Sequence, residues 1–229
     1  MPKNFLIIGA SSGIGIALAN ELLGAGHRVI SASRTKPDLA GIEHIDWEAP
    51  QPFTKENLPP SLDGVVYCPG TISLKPFHRF TIQDFTKDFE INVLGAVQVL
   101  QTVFPLLKSA EDASVVLFST VAVQTGMSFH ASIAAAKGAI EGLTRSLAAE
   151  WAPHKIRVNA IAPSLTQTPL AGALLSTPEK VDASNKRHPL GRVGQPLDSA
   201  HLAKFLLGDE SRWMTGQVIG LDGGLGSLK

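Results

Sequence analysis

Short apolar runs rich in Val and Ile alternate along this chain with longer stretches in which apolar residues recur every three to four positions. "NFLIIG" leads into a helical pattern from Ser12 to Ala25 that Gly26 closes, and "HRVISAS" follows. That order is a β-α-β unit. "GIEHID", "GVVYC", "ASVVLFS", "KIRVNAIAP" and "GQVIGLD" are further strand candidates, each short and mostly apolar, as parallel strands covered on both faces must be. Long helical patterns occupy about 81 to 109 and 131 to 152. The alternation predicts an α/β chain with a doubly wound parallel sheet, three layers αβα, and right-handed crossovers.

Two stretches break the rhythm. "RTKPDLAG" is short for a crossover helix, and the Pro-rich "WEAPQPFTKENLPPSLDG" has room for a short helix at most, so one edge of the sheet is expected to be trimmed. Later, about 164 to 190 mixes leucines with Pro, Gly and several cations after a strand's carboxyl end, the character of a substrate lid. No internal repeat is present.

At 229 residues the pattern fits a single domain spanning 1–229 with a substantial core. Lys and Arg balance Asp and Glu at 20 each, so no overall field draws nucleic acid or an anionic membrane to the chain; neither is expected as a partner. The lone Cys68 has no internal disulfide partner, which fits a reducing compartment. The opening apolar run is interrupted by Asn20 and Glu21 before it reaches membrane length, so neither a signal peptide nor a membrane span is expected and the location read is cytoplasmic.

"GASSGIG" places Gly9, Gly13 and Gly15 where the first strand turns into the first helix. A backbone without Cβ atoms can approach a pyrophosphate there, and the helix's free N–H groups attract negative charge. Close helix packing is the plainer explanation of the same glycines. The wider set of motifs narrows the choice. "GASSGIG", "FEINVLGAVQVLQ", "SVVLFSTVA", "AAAKGAIEGLTRSLAAEWAPHKIRVNAIAPSLTQTPL", "PLGRVGQP" and "MTGQVIGLDGG" follow one another over nearly the whole length. In that order they resemble the short-chain dehydrogenase/reductase family. The resemblance implies a Rossmann-type fold, NAD(P)(H)-dependent carbonyl reduction or alcohol oxidation of a small molecule, and assembly as a homodimer or homotetramer.

For the cofactor, the resemblance implies contacts from Gly9, Ser11, Ser12, Gly13, Ile14 and Gly15 at the turn. An acid after the second strand would bond a free ribose hydroxyl, whereas an arginine accommodates a 2′-phosphate. Here Ser33 stands where family members that prefer NAD often carry Asp, and Arg34 follows with a planar fork suited to phosphate, so NADP(H) is expected over NAD(H). A solvated loop cation is the simpler role for Arg34, and a surface carboxylate the simpler role for Asp46, which falls where the family often meets adenine. "YCPG" keeps only Gly70 of the usual Asn-Asn-Ala-Gly, with Tyr67 and Cys68 departing from it. "APSLTQT" aligns Pro163 with the family's Pro-Gly motif, Ser164 replacing the glycine. Leu165, Thr166 and Thr168 are then expected to meet the carboxamide and phosphates.

The family's reaction uses a tyrosine as proton donor, a lysine one turn later, a serine and an asparagine. Lys137 matches the lysine position and Asn92 the asparagine position, and Thr120 takes the serine position with Ser119 beside it. The tyrosine position holds Ile133. Residues four apart share a helix face, so a branched hydrocarbon meets Lys137 where a phenol is usual. Three readings follow: Lys137 itself donates the proton, directly or through a water relay; His130, three residues before Ile133, supplies it; or catalysis is lost and the protein binds NADP(H) as a sensor or interaction partner. The sole tyrosine, Tyr67, lies in another strand. No spacing among the histidines suggests a metal site. In the lid, Lys180, Lys186, Arg187 and His188 either attract an anion or face solvent, while Leu165, Leu170, Leu174 and Leu175 suggest apolar walls.

Overall fold

The Val- and Ile-rich runs form seven strands: β1 (Asn4–Ile8), β2 (Arg28–Ser33), β3 (Glu43–Asp46), β4 (Gly64–Tyr67), β5 (Ala113–Phe118), β6 (Ile156–Pro163) and β7 (Val218–Leu221). This computed structural model describes residues 2–228. The strands pair in the order β3-β2-β1-β4-β5-β6-β7, and every pairing is parallel. All six residues of β5 and the last four of β1 are buried, which explains their unbroken apolar character. The order reverses between β1 and β4. Beyond the carboxyl ends of these two strands lies the crevice in which open α/β sheets take their ligands.

The described residues form seven helices, α1 (Gly13–Gly24), α2 (Ile82–Phe89), α3 (Gly95–Lys108), α4 (Ala122–Thr125), α5 (Ala131–Trp151), α6 (Pro178–Lys186) and α7 (Pro196–Leu207), of which α1, α3, α5 and α7 cover the sheet. One core joins the sheet to α1 and α7 through Leu18, Leu22, Ala203 and Leu206. The other joins it to α3 and α5 through Val99, Val103, Ala136, Ile140 and Trp151. Together these layers give the expected doubly wound, Rossmann-like αβα domain.

The trimmed edge is real. Neither the β2–β3 nor the β3–β4 connection contains a helix. Ile42 and Leu39 fill the α1 side instead, and Trp47, Phe53 and Leu62 fill the other, with Trp47 and Phe53 meeting edge to face at 5.5 Å.

The pattern over 81 to 109 predicts one helix, and the structure divides it. Thr81 closes a capping box with Asp84, α2 follows, a π turn occupies Glu90–Leu94, and α3 continues to Lys108. Helix-forming sequence runs on both sides of the π turn, so residue patterning does not reveal it. The Tyr67 hydroxyl donates to the Ile91 carbonyl within that turn at 2.6 Å. By length and apolar character the 27-residue stretch Ile82–Lys108 could cross a membrane. Here its Val93, Ala96, Val99, Leu100, Val103 and Leu107 pack in the core, and it is a core helix.

Candidate functional site

Gly9 and Gly13 adopt left-handed backbone, with φ of +82° and +56°. A side chain on Gly15 would overlap the Gly9 carbonyl, so this turn closes only around glycine. A Cβ on Gly13 would come within 3.2 Å of Thr168 Cγ2, which brings the later Thr168 against the start of α1. Ser12 caps α1 without a side-chain hydrogen bond, and no acidic residue lies in the first turn. The leading N–H groups and the positive dipole end therefore face the crevice uncompensated, the arrangement that suits a pyrophosphate.

At the end of β2, the buried Ser33 hydroxyl donates to the Thr35 carbonyl at 2.9 Å and lies 3.1 Å from Ser31 Oγ. It is already engaged. Arg34 is exposed and pairs with Glu48 at 3.3 Å, a surface contact that holds the guanidinium only weakly. Asp46 pairs in register with Ser33 at the end of β3 and is exposed. No carboxylate occupies the β2 end itself.

A cavity of about 310 Å³ opens at the carboxyl ends of β4, β5 and β6. Ile14, Gly70, Thr120, Ile133, Lys137, Pro163, Leu165, Thr166 and Thr168 all line it. The structure thus gathers residues scattered over more than half the chain. Asn92 does not reach the cavity surface. It stands fully buried behind Gly70, where a Cβ would lie 3.4 Å from Asn92 Oδ1 and 3.6 Å from Lys137 Nζ.

Lys137 is 8% exposed, and its amine has no hydrogen-bond or ion-pair partner among the described residues. Burial lowers its pKa to about 8. Cys68, partly exposed toward the same cavity, has its thiol pushed up to about 12 by burial and is neutral at pH 7. Asp88 remains as the negative charge that offsets the desolvation of Lys137. Ile133 is buried in the cavity wall one turn before the lysine, as the spacing predicts.

Thr120 and Ser119 have different fates. Ser119 Oγ donates to the buried Glu141 at 2.8 Å, so its proton is spent. The Thr120 hydroxyl accepts only a 3.4 Å contact from the Ala122 N–H and keeps its own proton for the cavity. His130 lines the cavity at the start of α5, with Nδ1 2.7 Å from the Ser128 carbonyl. Tyr67 is turned to the α3 side of the sheet, its hydroxyl donating to Ile91 and its pKa raised by burial. That phenol is committed elsewhere and does not line the cavity.

Two further residues, Asp88 and Thr71, belong to this arrangement. The buried Asp88 carboxylate accepts hydrogen bonds from Thr71 and Ser132 at 2.6 Å each. Asn92 in turn donates to Thr71 Oγ1 at 2.9 Å and to the Asp88 carbonyl at 2.7 Å, leaving Oδ1 buried and unpartnered. Asp88 precedes Asn92 by four residues, a helical spacing that could have drawn attention to it; nothing in the sequence ties Thr71 to either.

The 164–190 segment folds over the cavity as a 3-10 helix at Pro169–Leu175 and then α6. Gln167 donates to the Gly194 carbonyl at 2.8 Å and Gly194 to the Leu165 carbonyl at 2.9 Å, which pins the base of the segment. The Thr166 hydroxyl donates to the Ser164 carbonyl at 3.0 Å. His188 Nδ1 faces the Ser184 carbonyl at 2.8 Å, and Nε2 lies 2.9 Å from Ser164 Oγ. With Nδ1 donating to the carbonyl, a neutral ring accepts the Ser164 proton at Nε2.

The family pattern described as enoyl-(acyl carrier protein) reductase matches residues 43–226. L-xylulose reductase of Bos taurus is 34% identical over 235 residues, covering 97% of this chain and 96% of that protein. The ligand-free aldohexose dehydrogenase of Thermoplasma acidophilum superposes with a TM-score of 0.90 at 28% identity, covering 98% of this chain and 94% of that one. A structure of ElxO with NADP bound superposes with a TM-score of 0.88 at 25% identity, covering 98% of this chain and 99% of that one. The ordered motifs, the parallel sheet and the glycine turn agree with these likenesses. The chain belongs to the short-chain dehydrogenase/reductase family.

Proposed function

We propose that this protein is an NADP(H)-dependent oxidoreductase that reduces a small carbonyl compound, or oxidises the matching alcohol, with Lys137 as proton donor in place of a tyrosine. The observation that carries the reading is the unpartnered, nearly buried Lys137 amine in the cavity wall beside Ile133 and Gly70. The reductase and dehydrogenase names of the bovine and archaeal relatives support the reaction class. ElxO with NADP bound supports the cofactor class.

The residues present suit a dinucleotide: a Cβ would fill the glycine cradle, and α1 opens without a cap bond. Gly9, Ser11, Ser12, Gly13, Ile14 and Gly15 would hold the pyrophosphate, Arg34 a 2′-phosphate beside Ser33, and Asp46 the adenine. Lys137 would grip the nicotinamide ribose. Gly70, Pro163, Thr166 and Thr168 would line the nicotinamide end, and the Leu165 N–H would meet the carboxamide. When bound, the nicotinamide supplies or accepts the hydride. Thr120 donates a hydrogen bond to the substrate oxygen and Lys137 delivers the proton, by itself or through one water. Asn92, clamped by Asp88 and Thr71, keeps its Oδ1 aimed toward the lysine side of Gly70. Ile133 excludes water from the amine and thereby makes it the stronger acid. The segment 164–190 serves as the lid.

The test is NADPH-dependent turnover across a panel of carbonyl compounds. Native turnover that falls by roughly a hundredfold to ten-thousandfold in Lys137→Ala, both proteins being compared at NADPH concentrations that saturate each, supports the reading. No native turnover, with activity appearing in Ile133→Tyr, favours the inactive NADP(H)-binding homologue instead.

A further inference from the structure

The lid carries several cations, and the structure engages most of them. Lys180 Nζ donates to the Ala173 carbonyl at 3.1 Å and to Ser176 Oγ at 2.9 Å. Lys186 pairs with Asp182 at 2.6 Å. Both ring nitrogens of His188 have partners, Ser184 and Ser164. Arg187 differs. Its exposed side chain lines the cavity and has no hydrogen-bond or ion-pair partner among the described residues.

The rest of the wall gives that cation its meaning. Among the described residues no Asp or Glu lines the cavity, while the unpartnered Lys137 amine faces into it. Ile72, Leu74, Phe118, Met127, Leu170 and Leu174 make most of the remaining surface apolar. A polyhydroxylated substrate would bury most of its hydroxyls against hydrocarbon with few free partners such as Thr120, at a cost for each one left unpaired. An apolar body with one anionic end meets hydrocarbon along the wall and a free planar guanidinium at the mouth, where a carboxylate can accept two parallel hydrogen bonds.

We infer that the substrate of this site is an apolar carbonyl compound bearing a carboxylate, with the carboxylate held by Arg187 and the carbonyl between Thr120 and Lys137. This rests on the oxidoreductase reading for its reacting end only. The anion-binding end is independent of turnover.

The test compares para-acetylbenzoate with its uncharged analogue para-acetylbenzamide on the NADPH-saturated protein, by calorimetric binding and by NADPH oxidation. The native protein should favour the acid by about tenfold or more, the scale of one charge-assisted pair. In Arg187→Gln that ratio should collapse toward unity, whereas in Lys186→Gln, which removes a neighbouring cation already paired with Asp182, it should persist. Equal affinities in the native protein, a ratio that survives Arg187→Gln, or an equal fall in Lys186→Gln overturns the inference. A binding ratio without turnover upholds the anion site and counts against the oxidoreductase reading alone.

Discussion

Ile133 and Lys137 lie four residues apart on one face of α5, and both reach the cavity wall. That relation was legible in the sequence because helical spacing fixes it locally. The setting of Asn92 was not: its amide is oriented by Thr71, twenty-one residues away, and by Asp88, and only the tertiary fold brings Thr71 there. Spacing places Thr120 at the serine position with Ser119 as the neighbouring substitute, and the fold adds that Glu141 takes the Ser119 proton. The lowered Lys137 pKa sets a pH dependence. In the proposed reaction the Lys137 ammonium is the acid, so kcat for carbonyl reduction should hold below about pH 8 and fall as pH rises through that value, while alcohol oxidation, with the free amine as base, should rise over the same interval. A reduction profile flat to pH 10 would deny Lys137 the role of acid. The same desolvation makes the charged lysine a cost to the folded state: its folded pKa is depressed, so the unfolded chain binds more protons between about 8 and the ordinary lysine value, and that cost diminishes as pH rises through the interval. At the other end of the cofactor, replacing Arg34 by Ala should erase a preference for NADPH over NADH, read from the two dissociation constants; a preference unchanged by the substitution would assign the phosphate to other groups.

Among the elements, α1, α5 and the seven described strands followed from periodicity and turn residues, because all but the edge strands β3 and β7 have a buried face whose spacing survives in the sequence. The π turn at Glu90–Leu94 did not, since helix-forming sequence runs on either side of it and nothing local marks the wider turn. Its effect is large nonetheless, for it contains Asn92 and presents the Ile91 carbonyl to Tyr67. The outer face of this helix also lies beside α5. There Phe85, Phe89, Leu94, Ser132, Ala135 and Ala136 line a groove, and Phe89 and Leu94 remain exposed. We propose that a second copy covers this apolar face in a homodimer, or in a homotetramer built from such dimers. The native chain should therefore sediment as a dimer or larger, and Leu94→Glu should shift it toward monomer. A native monomer at micromolar concentration would refute that assembly.

For the whole molecule, the alternation of short apolar runs with helical stretches led to the parallel sheet because crossovers of one hand leave few other arrangements. The sheet then does most of the work of assembly. Its strand ends bring Gly70 after β4, Thr120 after β5 and Pro163 at the end of β6 to one cavity, and α5 adds Ile133 and Lys137. What remained hidden in the sequence was which polar groups the fold would consume and which it would leave free, since that depends on partners distant along the chain. Lys137 is left free, and the proposed reaction uses that freedom. The most direct measurement is single-turnover reduction of a carbonyl compound by the native protein and by Lys137→Ala, each preloaded with NADPH to equal occupancy. A native rate that drops by at least about a hundredfold in the variant is the expected result. Equal rates in the two proteins, or no reduction by the native protein alongside reduction by Ile133→Tyr, would contradict it.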